Sequence, residues 1–237
     1  MALLYKRVLL KLSGEALGSE GSIFDFSQIS TAASTIRRMK ELGAEIGIVI
    51  GAGNIWRGRQ GPSASMDAVA ADQMGMLGTV INCICMADAL RREGLDAVVM
   101  SAVDMNRFCE PFNANAARRH LKEGRVVLFA AGTGNPFFST DSGVALRAVE
   151  MQADAILMAK NIDGVYTADP RLDATATLIP DITYQEALAR NLKVMDAAAF
   201  AICAENKLPV IRVFGLDDPE NLLRVLEGDP MGTCVHP

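Results

Sequence analysis

Six short runs rich in valine, isoleucine and leucine recur along the chain, separated by stretches with helical spacing. The runs are Tyr5–Leu12, Glu45–Ile50, Ala97–Ser101, Arg125–Ala130, Ala155–Ala159 and Pro209–Val213. They are almost continuously apolar. A strand with one wet face alternates, so these strands must be covered on both faces. The intervening segments Ile29–Leu42, Ser65–Arg92, Ala114–Lys122, Asp141–Met151, Tyr184–Arg190, Asp196–Glu205 and Pro219–Leu226 read as helices. Strands alternating with helices predict an α/β protein with a mostly parallel central sheet and helices on both sides. The polar, turn-rich stretch Thr167–Pro180 reads as a long surface loop.

A length of 237 residues suits one large domain or two intimate lobes. Half the residues are hydrophobic, which is enough for a sizeable core. The net charge of −5, without a basic run, does not favour nucleic acid or an anionic membrane as partner. The N-terminus lacks the pattern of a signal peptide, and the apolar runs read as too short to span a bilayer. The five scattered cysteines and two histidines form no ligand constellation. They suggest reduced thiols in a cytoplasmic protein without a structural metal.

The segment Ser65–Arg92 is unusual because small or apolar residues occur on nearly all its faces. At ~1.5 Å per residue it would be roughly 40 Å long. One face is expected in the core and the other at a subunit interface, where Gly75 and Gly78 would allow close approach.

Three strand ends run into turns that carry glycine: Lys11-Leu12-Ser13-Gly14, Gly51-Ala52-Gly53-Asn54 with Arg57 beyond it, and Gly132-Thr133-Gly134-Asn135. In parallel sheets, ligands bind beyond the carboxyl ends of the strands. Glycine lets backbone amides approach phosphate oxygens, and a following helix N-terminus adds a favourable dipole. Such turns therefore point to a phosphate site. Neither GxxxxGK[ST] nor GxGxxG is present, which excludes a P-loop and argues against a dinucleotide fingerprint.

Individual residues carry two readings each. Lys11 and Arg57 are either surface cations or phosphate ligands. Asp72, inside the apolar helix, either caps a bend or reaches a ligand hydroxyl, and the cost of burying it alone favours the ligand. Thr140-Asp141-Ser142 is either an ordinary helix cap or part of the site. Phe137-Phe138 is either a buried staple or a wall for a base. Within Asp163–Pro170, Tyr166 could stack on a purine and Asp169 could face a metal–phosphate complex.

Taken together, Lys11–Leu17, Gly51–Gly58, Asp72–Leu77, Ala131–Asp141, Asp163–Pro170 and Leu192–Asp196 resemble the bacterial UMP kinases of the amino-acid kinase family over essentially the whole chain. The resemblance implies a three-layer αβα sandwich of the carbamate kinase-like type. It implies one domain, 1–237, with a UMP-binding and oligomerisation lobe at 1–153 and an ATP-binding lobe at 154–237. ATP and Mg²⁺ would be the cofactors. Lys11, Leu12, Ser13, Gly14, Gly53 and Arg57 would hold the ATP phosphates or the group in transfer, and Lys160, Asn161, Tyr166 and Asp169 would line the ATP site. Ala52, Asp72, Thr133, Gly134, Asn135, Pro136, Phe137, Phe138, Ser139 and Thr140 would form the UMP site. Lys11, Arg57 and Asp141 would be catalytic, with Asp141 orienting the cations. The resemblance further implies a homohexamer, inhibition by UTP and activation by GTP between subunits. Because Asn113-Ala114-Asn115-Ala116 stands where such relatives carry arginines, activation by GTP is expected to be weak or altered.

Overall fold

The computed structural model describes residues 3–58, 65–192, 195–216 and 218–237. In chain order its elements are β1 (Arg7–Leu12), α1 (Phe26–Glu41), β2 (Glu45–Ile50), α2 (Ala68–Arg92), β3 (Ala97–Ser101) and β4 (Glu110–Pro111). Next come α3 (Ala114–Lys122), β5 (Val126–Ala130), α4 (Thr140–Glu150), β6 (Ala155–Lys160) and the two-residue strands β7 (Val165–Tyr166) and β8 (Leu178–Ile179). The chain ends with β9 (Asp181–Thr183), α5 (Tyr184–Ala189), α6 (Ala197–Glu205), β10 (Ile211–Gly215), α7 (Asn221–Leu226) and β11 (Thr233–His236).

Nine strands form one sheet in the order β4-β3-β5-β2-β1-β6-β10-β11-β9. Neighbours are parallel except β10 and β11. Alternate side chains of β1 enter opposite cores, Leu10 with α1, α2 and α7, and Leu9 with α3, α4, α5 and α6. The result is a three-layer αβα sandwich. β2 lies on one side of β1 and β6 on the other, so the chain reverses its direction of sheet growth beside β1. That reversal opens a crevice at the carboxyl edge, where the turns after β1, β2, β5 and β6 converge.

Several short elements were not apparent in the sequence. β8 lies inside the expected loop Thr167–Pro180 and pairs back onto β7. β4, β9 and β11 are held by neighbours in the sheet rather than by their own patterning.

The helix α2 corrects two expectations. Over its most apolar stretch its mean hydropathy is 1.3, and its 25 residues are long enough to cross a membrane. Here it packs along one face of the sheet, with Thr79 and the fully buried Asn82 making polar contacts inward. Gly78 also points inward, not to a subunit seam. A Cβ there would lie 2.9 Å from the Ala52 Cβ. The outward stripe is Met74, Leu77, Ile81 and Ile84, which are 39–54% exposed. The helical period places Gly75 near Trp56 and Gly78 against Ala52, away from that stripe.

Candidate active site

Two cavities lie along the carboxyl edge, and they meet at Lys11, Ser13 and Glu15. The first, about 650 Å³, is bounded by the turns after β1, β2 and β5 and by α2. Ala52, Gly53, Arg57, Asp72, Thr133, Asn135, Phe138, Ser139 and Thr140 line it, as do Gly14 and Gly132. The second, about 720 Å³, lies over β6 and the β7–β8 hairpin and is lined by Lys160, Asn161, Tyr166 and Asp169.

The structure separates some residues that the sequence had grouped. Leu12 is buried and its side chain lines neither cavity, because it alternates with Lys11 along β1. Gly134 turns against the backbone of Ala102, with φ at +80°. Gly134, Pro136 and Phe137 shape the loop without lining the cavity. Phe137 is 68% exposed, so of the aromatic pair only Phe138 reaches the cavity wall. Lys193 and Val194 lie outside the described residues. Conversely, Glu15 and Trp56 in the first cavity and Arg171, Arg190 and Asn191 in the second were not singled out from the sequence. Trp56 is fixed by an indole hydrogen bond to the Ala71 carbonyl at 2.8 Å, a contact no local motif announces.

Lys11 does not snorkel to solvent. Its ammonium lies 3.0 Å from Asp141 Oδ1, with the two side chains 17% and 22% exposed. The approach angle falls outside hydrogen-bond geometry, so the contact is an ion pair. Asp141 sits in the first turn of α4, whose N-cap is Ser139, and that helix terminus faces the cavity. Lys160 completes the cluster. Burial holds its ammonium below the ordinary lysine value and nearby Lys11 adds to the effect, while Asp141 opposes it. Arg57 stands at the mouth, its guanidinium 2.9 Å from Glu15 Oε1 and its Nε donating to the Gly53 carbonyl at 3.3 Å.

The turns are braced from behind. The fully buried Asn82 donates to the Gly51 carbonyl at 2.7 Å and exchanges amide bonds with Asn54. Asn54 in turn donates to the Ile23 carbonyl. Thr79, one turn earlier, accepts the Ala131 N–H at 2.8 Å. Asp72 accepts the Phe137 N–H at 2.8 Å. Asp196 accepts the hydroxyls of Ser139 and Ser142 and caps α6 through Ala199 N. Tyr166 donates its hydroxyl to Asp163, and Asp169 accepts the Arg171 N–H.

The sequence profile of the amino acid kinase family matches residues 6–213. Solved structures match along nearly the whole chain. The UMP kinase from Bacillus anthracis is 37% identical, with a TM-score of 0.94 over 98% of this chain and 96% of its own. The UMP kinase from Ureaplasma parvum is 38% identical, with a TM-score of 0.91 over 98% and 99%. The uridylate kinase from Archaeoglobus fulgidus is 25% identical, with a TM-score of 0.71 over 96% and 99%. A strand order with its crevice beside β1, a cationic cluster at that crevice and a family match spanning most of the sequence lead to one assignment: this chain belongs to the amino acid kinase family.

Proposed function

We propose that the chain is a UMP kinase, which transfers the γ-phosphoryl group of ATP to UMP and yields UDP and ADP. The observation that carries this reading is the pair of nucleotide-sized cavities joined at Lys11, Ser13 and Glu15. Two ligands seated there would present their phosphates to one shared cationic cluster. The full-length likeness to two UMP kinases favours UMP over the carboxylate acceptors open to other members of the family.

The chemistry follows from charge. The UMP phosphate has a second pKa near ~6 and is largely dianionic at neutral pH. One of its oxygens attacks the γ-phosphorus, the bond to the β-phosphate oxygen breaks, and ADP leaves with that electron pair. No proton has to be removed from the nucleophile, so no general base is required. The difficulty is bringing two polyanions into line, and positioning and electrostatic stabilisation supply the answer. Lys11, held by Asp141, would sit at the transferring group. Lys160 would face the ATP phosphates. Arg57 would exchange Glu15 for phosphate oxygens, and the amides of the Gly14 and Gly53 turns would donate to them.

Among the described residues no cluster of three or more carboxylate, histidine or cysteine side chains could hold a metal. Magnesium is held readily by substrate phosphates with few protein carboxylates. In this reading the ATP phosphates would hold it, with Asp169 on the second cavity's wall as a candidate contact, and it would supply charge neutralisation there.

The decisive experiment is an ADP-release assay with ATP and a panel of UMP, CMP, dCMP and acetylglutamate. UMP is expected to dominate, because a cytosine edge reverses the donor and acceptor pattern that Thr140 and backbone groups of the Gly134–Thr140 loop would read. Equal turnover of CMP, or turnover of acetylglutamate alone, defeats the reading. UTP is expected to compete with UMP, and activation by GTP is expected to be weak.

Lys160 gives the pH dependence. It must be charged to hold phosphate, and its ammonium titrates below the ordinary lysine value because of burial and Lys11. Raising the pH therefore removes the cation, and kcat/KM for ATP is expected to fall on the alkaline side below 10.5. In Lys160→Arg that limb should move to higher pH, since a guanidinium does not titrate there. An unmoved limb would separate Lys160 from phosphate binding.

The outward face of α2 supports assembly into a homo-oligomer, with a hexamer as the reading, and the likeness to UMP kinases carries the reading of a cytoplasmic enzyme. Leu77 is 54% exposed within the apolar stripe. Leu77→Glu is expected to lower the mass seen by light scattering at micromolar concentration. A wild-type monomer would remove the interface.

A further inference from the structure

We propose that Arg147 is a positioning residue for the loop 131–139, clamping its first turn to the helix that ends it. This deepens the reading of that loop as the UMP side of the site and rests on it.

Arg147 lies in the last turn of α4, and its side chain is only 5% exposed. Burying a guanidinium is costly unless its N–H groups are met. One carboxylate answers it, Glu150, at 2.5 Å from Nη1. The second arm does something a salt bridge does not need. Nη2 donates to the Gly132 carbonyl at 3.0 Å, fifteen residues back along the chain. The guanidinium carbon lies 3.8 Å from the centre of the Phe112 ring, and Phe112 meets Phe129 edge to face. The cation is thus sandwiched in place by an aromatic face, a carboxylate and one backbone carbonyl.

That carbonyl belongs to a backbone held in an unusual form. Ala131 and Gly132 have φ of +62° and +57°, two successive left-handed residues at the end of β5. For alanine this conformation is costly and persists only where surroundings enforce it. Thr79 on α2 takes the Ala131 N–H, and Arg147 on α4 takes the Gly132 carbonyl. Gly143 closes the third side, since a Cβ there would lie 3.3 Å from Gly132 Cα. Downstream, Asp72 holds Phe137 and Asp196 holds Ser139. Between these pins, Thr133, Asn135 and Phe138 face the first cavity. Arg147 therefore joins the start of the loop to the helix whose N-terminus, Thr140–Asp141, is the loop's end. Without it the start of the loop would keep the Thr79 bond and the Gly143 contact but lose its hold on the Gly132 carbonyl, the bond nearest to where Thr133 and Asn135 take their register. Lys11 and Asp141 would keep their contact, because neither depends on Gly132.

The test compares wild type with Arg147→Met, which keeps bulk but loses both arms, and Arg147→Lys, which can restore one bond. Steady-state kinetics should show KM for UMP rising roughly tenfold in Arg147→Met, with KM for ATP changed by less than about twofold. Arg147→Lys should recover part of the loss, and Phe112→Leu should shift KM for UMP in the same direction by less. Equal changes in both KM values, or a lowered Tm with unchanged kinetics, would make Arg147 a purely structural residue. Hydrogen exchange on the protein without nucleotide tests the clamp independently of turnover. Amides of 132–138 should exchange faster in Arg147→Met than in wild type, while those of β1 stay protected. Unchanged exchange there overturns the clamp. If wild type shows no UMP-dependent ADP release, the proposed function fails, and the exchange comparison still decides the clamp. Should Arg147→Met not fold, Arg147→Lys and Phe112→Leu carry both measurements.

Discussion

Lys11→Ala is expected to lower kcat by on the order of 10²-fold or more while the protein stays folded. Lys11 is the cation common to both cavities, and nothing else on β1 can replace it. The substitution acts twice. It removes the charge that would stabilise the group in transfer. It also strips Asp141 of its partner at 3.0 Å, leaving a half-buried carboxylate to repel incoming phosphate. Pairing it with Asp141→Asn separates the two effects. If repulsion dominates, the double variant recovers part of the loss. If the missing cation dominates, the double variant is no better than Lys11→Ala. Steady-state kinetics with thermal melts provide the measurement. Near-normal turnover in Lys11→Ala would reduce the ion pair to a structural contact.

The second large effect is expected from Gly14→Ala. A Cβ at Gly14 would lie 2.5 Å from both Asn54 Oδ1 and the Gly51 carbonyl, and 2.7 Å from Gly53 N. Two of those atoms are backbone, and the third is fixed by Asn82 and Ile23. The turns after β1 and β2 would have to separate, and kcat/KM should fall by on the order of 10²-fold, since small displacements at a site of the proposed kind are that costly. Overpacking of about 1–3 kcal/mol should also lower the Tm by several degrees. Gly53→Ala is the control, because its Cβ would meet only Glu15, at 3.7 Å. Its melting temperature should match wild type. A destabilisation as large as that of Gly14→Ala would show that the close approach of the two turns is not the cause.

The sequence alone determined the layered α/β fold. Continuous apolar strands such as β2 and β5 have no wet face, so helices had to cover both sides. It also located the turns after β1, β2 and β5, because glycine at a strand end is a local signal. Tertiary structure decided which members of those segments face the two cavities. Leu12, Gly134, Pro136 and Phe137 stand in the right stretches but turn away. Alternation along a strand and left-handed backbone, at φ +80° for Gly134 and +70° for Phe137, set direction residue by residue. The braces were equally hidden. Asn82 and Thr79 in an apolar helix, and Arg147 at a helix end, look like minor irregularities until distant carbonyls and amides are brought to them. The same holds for Gly78, whose place against Ala52 rather than at a subunit seam depends on how α2 is rotated over the sheet. Local propensity and periodicity act over a few residues. The groups that aim this site lie between 15 and 65 residues from the backbone they hold, and only the folded chain brings them within hydrogen-bond reach.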